Sequence, residues 1–320
     1  MFRFATAIGA DIGQLLIKIA VVNMSGKVLA HDSYPLDRYQ TRDYLISRLT
    51  EAIREIRQKV ASEGINPISV GIAAKGFIDH SSGIILGPDQ GIKGWTNVPL
   101  AKLVSKEIGL PVFVGNDANL MTIAEHRFGA ARGYNNVVFV ALRTGIGGGI
   151  IINGKLYRGV NNAGGEIGQM IIEFSNGLSD KGIRGSYEHF ASASALVRRY
   201  YEETGTGHDD SGQKMTCKQV FELSYRNIPA AVKVVDENAA MVGIGLANLI
   251  TIFAPEMIVI GGGMSEANDN YLKKIIESAF ANSLENCREE VKIERAYLGS
   301  RASLLGSGYY SLIRLAGRSI

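Results

Sequence analysis

Between residues 42 and 62 the apolar positions recur every three or four residues. Leu45, Leu49, Ile53, Ile56 and Val60 share one face and charged residues fill the other, which predicts an amphipathic helix with Gly64 as its stop. Elsewhere the apolar residues come in short runs. Residues 5–10 and 16–22 read as strands with Asp11, Ile12 and Gly13 between them, and a turn at Ser25-Gly26 leads into a third strand. PISVGIAAKG is a buried strand closing on a glycine turn. After a helix near 99–108, LPVFVGNDAN is another strand, and it delivers Asn116 and Asp117 at its carboxyl end, just before a helix beginning near Ala118.

The pattern then restarts. NNVVFVAL is a strand, RTGIGGG a turn and GIIINGKLYRG a hairpin. Both halves thus open with an apolar strand, a glycine turn carrying a small polar residue, a second strand and an (S/N)GK turn. The repeat is weak in residues but coherent in organisation. Helical patterns follow at 187–202, 216–225 and 230–253, then the strand PEMIVIGGG, a helix near 269–282, a strand near 291–297 and a helix near 302–316. Such alternation indicates α/β layers, and two such halves imply two lobes with a cleft between them.

Composition narrows the function classes. The 320 residues carry 34 basic and 31 acidic side chains, a net charge of +3 with no basic block, so nothing electrostatic points to nucleic acid or a membrane surface. No apolar run is long enough to span a bilayer. Cys217 and Cys287 form no CxxC pair, which leads us to expect a reduced, cytoplasmic protein without a thiolate metal site. The start, MFRFATAIGADIG, runs straight into a strand, so neither a signal peptide nor a DNA-binding helix-turn-helix is expected there. Glycine is abundant, at 38 residues against 7 prolines, and clustered, which fits tight turns where backbone approaches a ligand.

Four segments could carry chemistry, each with a plainer alternative. In GNDANLM, Asp117 could take a proton from a hydroxyl that Asn116 orients, or the pair could simply open a helix. In LRTGIGGGIIINGK, four glycines around Thr144 could form a phosphate nest or only a tight hairpin; it is not a Walker A loop. In ADIGQLLIK, Asp11 could sit near a metal–phosphate complex or in an ordinary β-turn. The glycines after PEMIVI could receive a nucleotide or a closely packed helix. GGEIGQM adds a lone carboxylate, Glu166, among glycines and apolar residues, costly if buried without partners.

Taken in order, VGIAAKGFID, GW with NVPL, VGNDAN, TGIGGGIIINGKLYRG, NAGGEIG, GIRGSYE, PEMIVIGGG and LGSRASLLGS resemble the ROK family of bacterial sugar kinases and repressors, nearly end to end. That family belongs to the actin–hexokinase–Hsp70 superfamily. The resemblance implies a two-lobed duplicated actin-like (ribonuclease H-like) α/β fold with a central cleft. The small lobe would comprise residues 1–117 joined by the C-terminal helix 300–320, the large lobe 118–299. It implies an ATP-dependent sugar kinase, with Asp117 as general base, Asn116, Glu166, Gln169, Glu188 and Gly76 at the sugar, and Asp11, Gly13, Thr144, Gly145, Gly147, Gly261, Gly262 and Gly263 around the nucleotide. ATP with Mg²⁺, a cytoplasmic homodimer, a small-molecule sugar and no nucleic acid or membrane partner complete that picture. Phosphoryl transfer needs positioning and charge neutralisation more than covalent help, which suits these residue types.

Several positions depart from the family pattern. Gln169 stands where the family has a zinc-binding histidine, and Ser179, Lys181 and Ser186 stand at its three cysteine positions, so no structural zinc is expected. Glutamine both donates and accepts, so part of that residue's sugar recognition can survive with altered preference. Gln14 and Leu15 replace glycine and threonine in the first phosphate loop, adding bulk and removing a hydroxyl, and Arg143 replaces a glycine in the second. Two readings therefore stand: a working sugar kinase, or a sugar-binding regulatory protein that keeps the fold without efficient turnover.

Overall fold

A computed structural model describes residues 5–37, 40–87, 92–174, 183–209 and 212–318. The chain divides into two compact units. One comprises Met1–Gly133, Ile150–Gly164 and Tyr297–Ile320, the other Tyr134–Gly149 and Gly165–Ala296.

The first sheet is built from β1 (Thr6–Ile12), β2 (Leu16–Asn23), β3 (Val28–Pro35), β4 (Val70–Ala74) and β5 (Val112–Asn116), in the order β3-β2-β1-β4-β5. The β3-β2-β1 portion is antiparallel, and β1-β4 and β4-β5 are parallel. Its central strands are apolar on both faces, as strands covered on both sides must be. On one face Ile8, Ala10, Ile17, Ile19, Val21, Val70 and Ile72 pack with Leu45, Leu49, Ile53 and Ile56 of α1 (Arg42–Ala61) and with Leu100 and Val104 of α2 (Leu100–Ile108). Thr41 starts α1 by accepting from the Tyr44 N–H at 3.3 Å.

The second sheet repeats the plan. Its strands are β6 (Val137–Leu142), β7 (Ile146–Ile152), β8 (Lys155–Tyr157), β9 (Met257–Gly261) and β10 (Lys292–Arg295), ordered β8-β7-β6-β9-β10. Numbered within each half, both sheets read 3-2-1-4-5, with parallel pairing on the 1-4-5 side. The weak sequence repeat is therefore a duplication of topology.

The remaining described α-helices are α3 (Asp117–Phe128), α4 (Tyr187–Ala191), α5 (Ala193–Thr204), α6 (Cys217–Tyr225), α7 (Pro229–Phe253), α8 (Asp269–Ala281), α9 (Glu285–Arg288) and α10 (Ala302–Leu315). None of the described helices is long and apolar enough to cross a membrane. α10 lies on the other face of the first sheet. There β1 and β4 pair Gly9 with Gly71, and a Cβ at these glycines would lie 2.1 Å from the Leu304 carbonyl and 1.8 Å from the Ser307 carbonyl. Only hydrogen side chains let the helix backbone sit this close. α10 in turn offers small buried residues, Ser303, Gly306, Ser307, Gly308 and Ser311.

The structure differs from the sequence-based expectation in three places. Asp11 lies inside β1, opposite Lys18, not in the turn after it. The single helix expected at 187–202 is two, because Ser192 takes an extended conformation and caps α5 through the Ala195 N–H at 3.2 Å. A small hairpin, Phe77–Asp79 against Ile84–Gly87, was not foreseen. A buried carboxylate also serves the first unit. Glu125 of α3, 1% exposed, accepts backbone N–H bonds from Ala130 (2.9 Å), Tyr297 (3.1 Å) and Leu298 (2.8 Å).

Candidate functional site

In the first unit the carboxyl ends of the parallel strands β4 and β5 bring Gly76, Asn116 and Asp117 together. Asn116 ends β5 and caps α3, its Oδ1 accepting from the Asn119 N–H at 3.1 Å. Its Nδ2 donates to the Gly76 carbonyl at 3.2 Å. The helix-capping alternative thus holds for Asn116, which still keeps one amide hydrogen and one lone pair. Asp117 is the first residue of α3, half-buried, its Oδ1 accepting from the Ala118 N–H at 2.9 Å, where the helix dipole favours a negative charge.

Asp11 is 7% exposed, and its Oδ2 accepts from Ser303 Oγ at 2.7 Å. A charge this buried needs such a donor. Ser303, in the LGSRAS segment, is a site-supporting residue that sequence reasoning did not single out. Gly13 donates to the Leu16 carbonyl at 2.9 Å and closes the tight β1–β2 turn, with Leu15 61% exposed at its tip.

In the second unit the β6–β7 turn carries Arg143, Thr144 and Gly145. Its carbonyls at Arg143 and Thr144 accept from Ala193 and Ser194 at the start of α5, at 2.9 and 3.4 Å. Glu188 of α4 reaches this turn. Its Oε2 accepts from the Ile146 N–H at 2.9 Å, and a Cβ on Gly145 would fall 2.2 Å from that oxygen. Its Oε1 accepts from Gln169 Nε2 at 3.4 Å, while Gln169 Oε1 is buried with no partner among the described residues. Gln169 ends a single 3₁₀ turn, Ile167–Gln169, that begins after Glu166, whose carbonyl accepts from the Gln169 N–H at 3.0 Å. Glu166 is exposed and makes no side-chain capping bond to that turn. The lone carboxylate of GGEIGQM is therefore not a buried structural group.

Gly147 lies half-buried within β7. Gly261 ends β9. Gly262 has φ +89° and approaches the Leu142 carbonyl so closely that a Cβ would sit 2.3 Å away, and Gly263 opens the turn that follows. Strand pairing thus sets this glycine segment beside the Thr144 turn. The corner Glu188–Gln169–Gly145 and the seam Leu142–Gly262 are the two places where this unit gathers the expected residues.

The positions that would carry a structural zinc do not fit one. Ser179 and Lys181 lie outside the described residues. Gln169 supplies an amide already directed at Glu188, and Ser186, fully buried, uses its hydroxyl to cap α4 through the His189 N–H at 3.4 Å. An amide and a hydroxyl are poor replacements for the imidazole and thiolates of a closed zinc site.

Two α/β units of one repeated topology define the duplicated fold of the actin-like ATPases and their sugar-kinase relatives. The ROK family profile matches residues 7–312, and the chain belongs to the ROK family. A glucokinase of Halalkalibacterium halodurans is 31% identical over 310 residues, 94% of this chain and 93% of its own length. A putative xylose repressor of Caldicellulosiruptor sp. is 28% identical over 306 residues, 93% of this chain and 76% of its own. The solved structure of a ROK family glucokinase from Streptomyces griseus, in complex with glucose and AMPPNP, matches with a TM-score of 0.83 at 31% identity, covering 96% of this chain and 99% of that one.

Proposed function

We propose that this protein is an ATP-dependent sugar kinase that transfers the γ-phosphoryl group to a hydroxyl of a hexose or hexose derivative. The observation that carries the reading is the division of labour at the head of α3. Asn116 caps the helix and holds Gly76, and Asp117, its Oδ1 accepting from the Ala118 N–H, follows at the carboxyl end of a parallel strand, where open α/β sheets place ligand chemistry. Asp117 takes the proton of the attacking hydroxyl as the bond to phosphorus forms, and Asn116 orients that hydroxyl. Glu188, Gln169 and Glu166 accept or donate to the remaining hydroxyls, with Gln169 Oε1 awaiting a donor. Thr144, Gly145 and Gly147 receive the phosphates, and the segment Gly261–Gly263 the adenosine. Mg²⁺ arrives with ATP and neutralises charge on its phosphates; Asp11 and the Gly13 turn are the residues suited to receive that complex. The glucokinase relatives support this reading, and with it we take a cytoplasmic homodimer as the working form.

One observation favours a second reading, a sugar-binding regulator without efficient turnover. The first phosphate turn presents Gln14 and the 61% exposed Leu15 where the family pattern has a glycine and a hydroxyl. A coupled ADP-release assay over hexoses, amino sugars and glycosides separates the two. Turnover on at least one sugar is expected; binding without turnover on every sugar supports the regulator. Asp117→Asn should lower kcat by about 100-fold or more while sugar binding persists, and full activity in that variant would refute the base assignment.

A further inference from the structure

Arg295 ends β10, next to the strand that delivers the glycine segment. Its guanidinium gathers acceptors from one short stretch of chain. Its Nε donates to the Ser265 carbonyl at 2.9 Å, and its Nη2 to the Ala267 and Asn268 carbonyls at 2.9 and 3.0 Å. Its Nη1 pairs with the Asp269 carboxylate. The fork of a guanidinium spans these acceptors at once, which a lysine ammonium cannot do in the same plane.

The hold extends to the glycines. Ser265 Oγ donates to the Gly262 carbonyl at 2.7 Å, and its N–H donates to the same oxygen at 3.1 Å. Gly262 itself is pressed against Leu142 at the root of the Thr144 turn. Arg295, Ser265 and Gly262 thus form one connected line from the end of β10 to the junction of the two glycine segments. The side-chain bonds of Glu188 and Gln169 run elsewhere, to each other and to the Ile146 N–H.

We propose that Arg295 is a positioning residue for the nucleotide: it fixes the Gly262–Asn268 segment in the shape that receives the adenosine of ATP. This rests on the kinase reading above. Replacing Arg295 leaves three carbonyls without their donor and frees the segment, so nucleotide recognition suffers while the sugar corner keeps its geometry.

Steady-state kinetics with ATP and sugar varied separately test the idea, alongside direct binding of AMPPNP. In Arg295→Met the KM for ATP should rise about tenfold, the weight of one charge-assisted hydrogen bond. The KM for sugar should stay within about twofold. Arg295→Lys should recover part of the loss, and Ser265→Ala, which removes the hydroxyl's bond to Gly262 and keeps the backbone one, should shift the KM for ATP in the same direction by less. An unchanged KM for ATP in Arg295→Met, or equal rises for ATP and sugar, would overturn the proposal. Should Arg295→Met fail to fold, Arg295→Lys and Ser265→Ala carry the same test, with wild-type ATP affinity in both as the overturning result. Wild-type protein that neither turns over ATP nor binds AMPPNP would remove the kinase reading first and this inference with it.

Discussion

Glu188 shows how one side chain couples two segments distant in sequence. Its carboxylate occupies the space above Gly145 that any Cβ would take. Because the obstacle is the free end of a flexible side chain, Gly145→Ala should move Glu188 and leave the fold intact. The expected outcome is a rise in the KM for sugar of about tenfold or more, with a melting temperature within a few degrees of wild type. Sugar titration and a thermal melt of the same sample check both halves. Asp79 gives a pH test. Bonds from the Ser81 and Ser82 hydroxyls and the Ser81 N–H hold its pKa down to about 2. A carboxylate depressed on folding contributes stability that is complete above its unfolded value of about 4 and is lost as pH falls through the folded value. The stability gap between wild type and Asp79→Asn should therefore close between about pH 4 and pH 2 in urea titrations. At this scale the sequence was legible where a residue type needs its setting. Asn116 before Asp117 announced a strand end and a helix start. Glu166 was less so: the sequence left open whether it would be buried, and the structure exposes it.

Among the elements, backbone bonds tie the Met170–Ile172 stretch to Gly185–Tyr187. Tyr187 donates to the Met170 carbonyl at 2.6 Å and Ile172 to the Gly185 carbonyl at 2.8 Å, while the side chain of Ser186 starts α4. Prolonged chelation with EDTA should leave the melting temperature and sugar binding unchanged, and metal analysis of the purified protein should find far less than one zinc per chain. A chelator-induced loss of either property would contradict this. The lengths of most elements followed from periodicity: the α1 stripe and the strand runs needed only their own residues. The break at Ser192 did not show, because the apolar spacing continues across it. Only the hydroxyl's choice to cap α5 decides where one helix stops and the next begins. The small hairpin at Phe77–Gly87 was hidden for a similar reason, its strands being too short to display alternation.

For the whole molecule, the abundance of glycine has a second cause that no motif announced. Several glycines serve packing and not ligands, and the paired Gly9 and Gly71 are the clearest case. Gly71→Ala must push α10 off the first sheet, at a cost of about 3 kcal/mol or more. Equilibrium unfolding in urea measures it, and a loss below about 1 kcal/mol would mean that the helix shifts without penalty. The duplicated topology, by contrast, was visible in the restart of the strand pattern, since a repeated order of strands leaves a repeated order of apolar runs. That α10 covers this sheet was not readable from the residue pattern, because α10 is separated from β4 by the entire second unit; only the family resemblance led us to expect the C-terminal helix with the first lobe.

That separation sets a timetable. The ribosome must complete residues 134–296 before it can make the helix that covers Gly9 and Gly71, an interval of roughly ten to thirty seconds at ordinary rates of synthesis. Throughout it, Glu125 waits for the amides of Tyr297 and Leu298, and one face of the first sheet stays open. The nascent chain is thus most vulnerable to aggregation not at its beginning but in the long middle of its synthesis. The arrival of α10 is what covers that face.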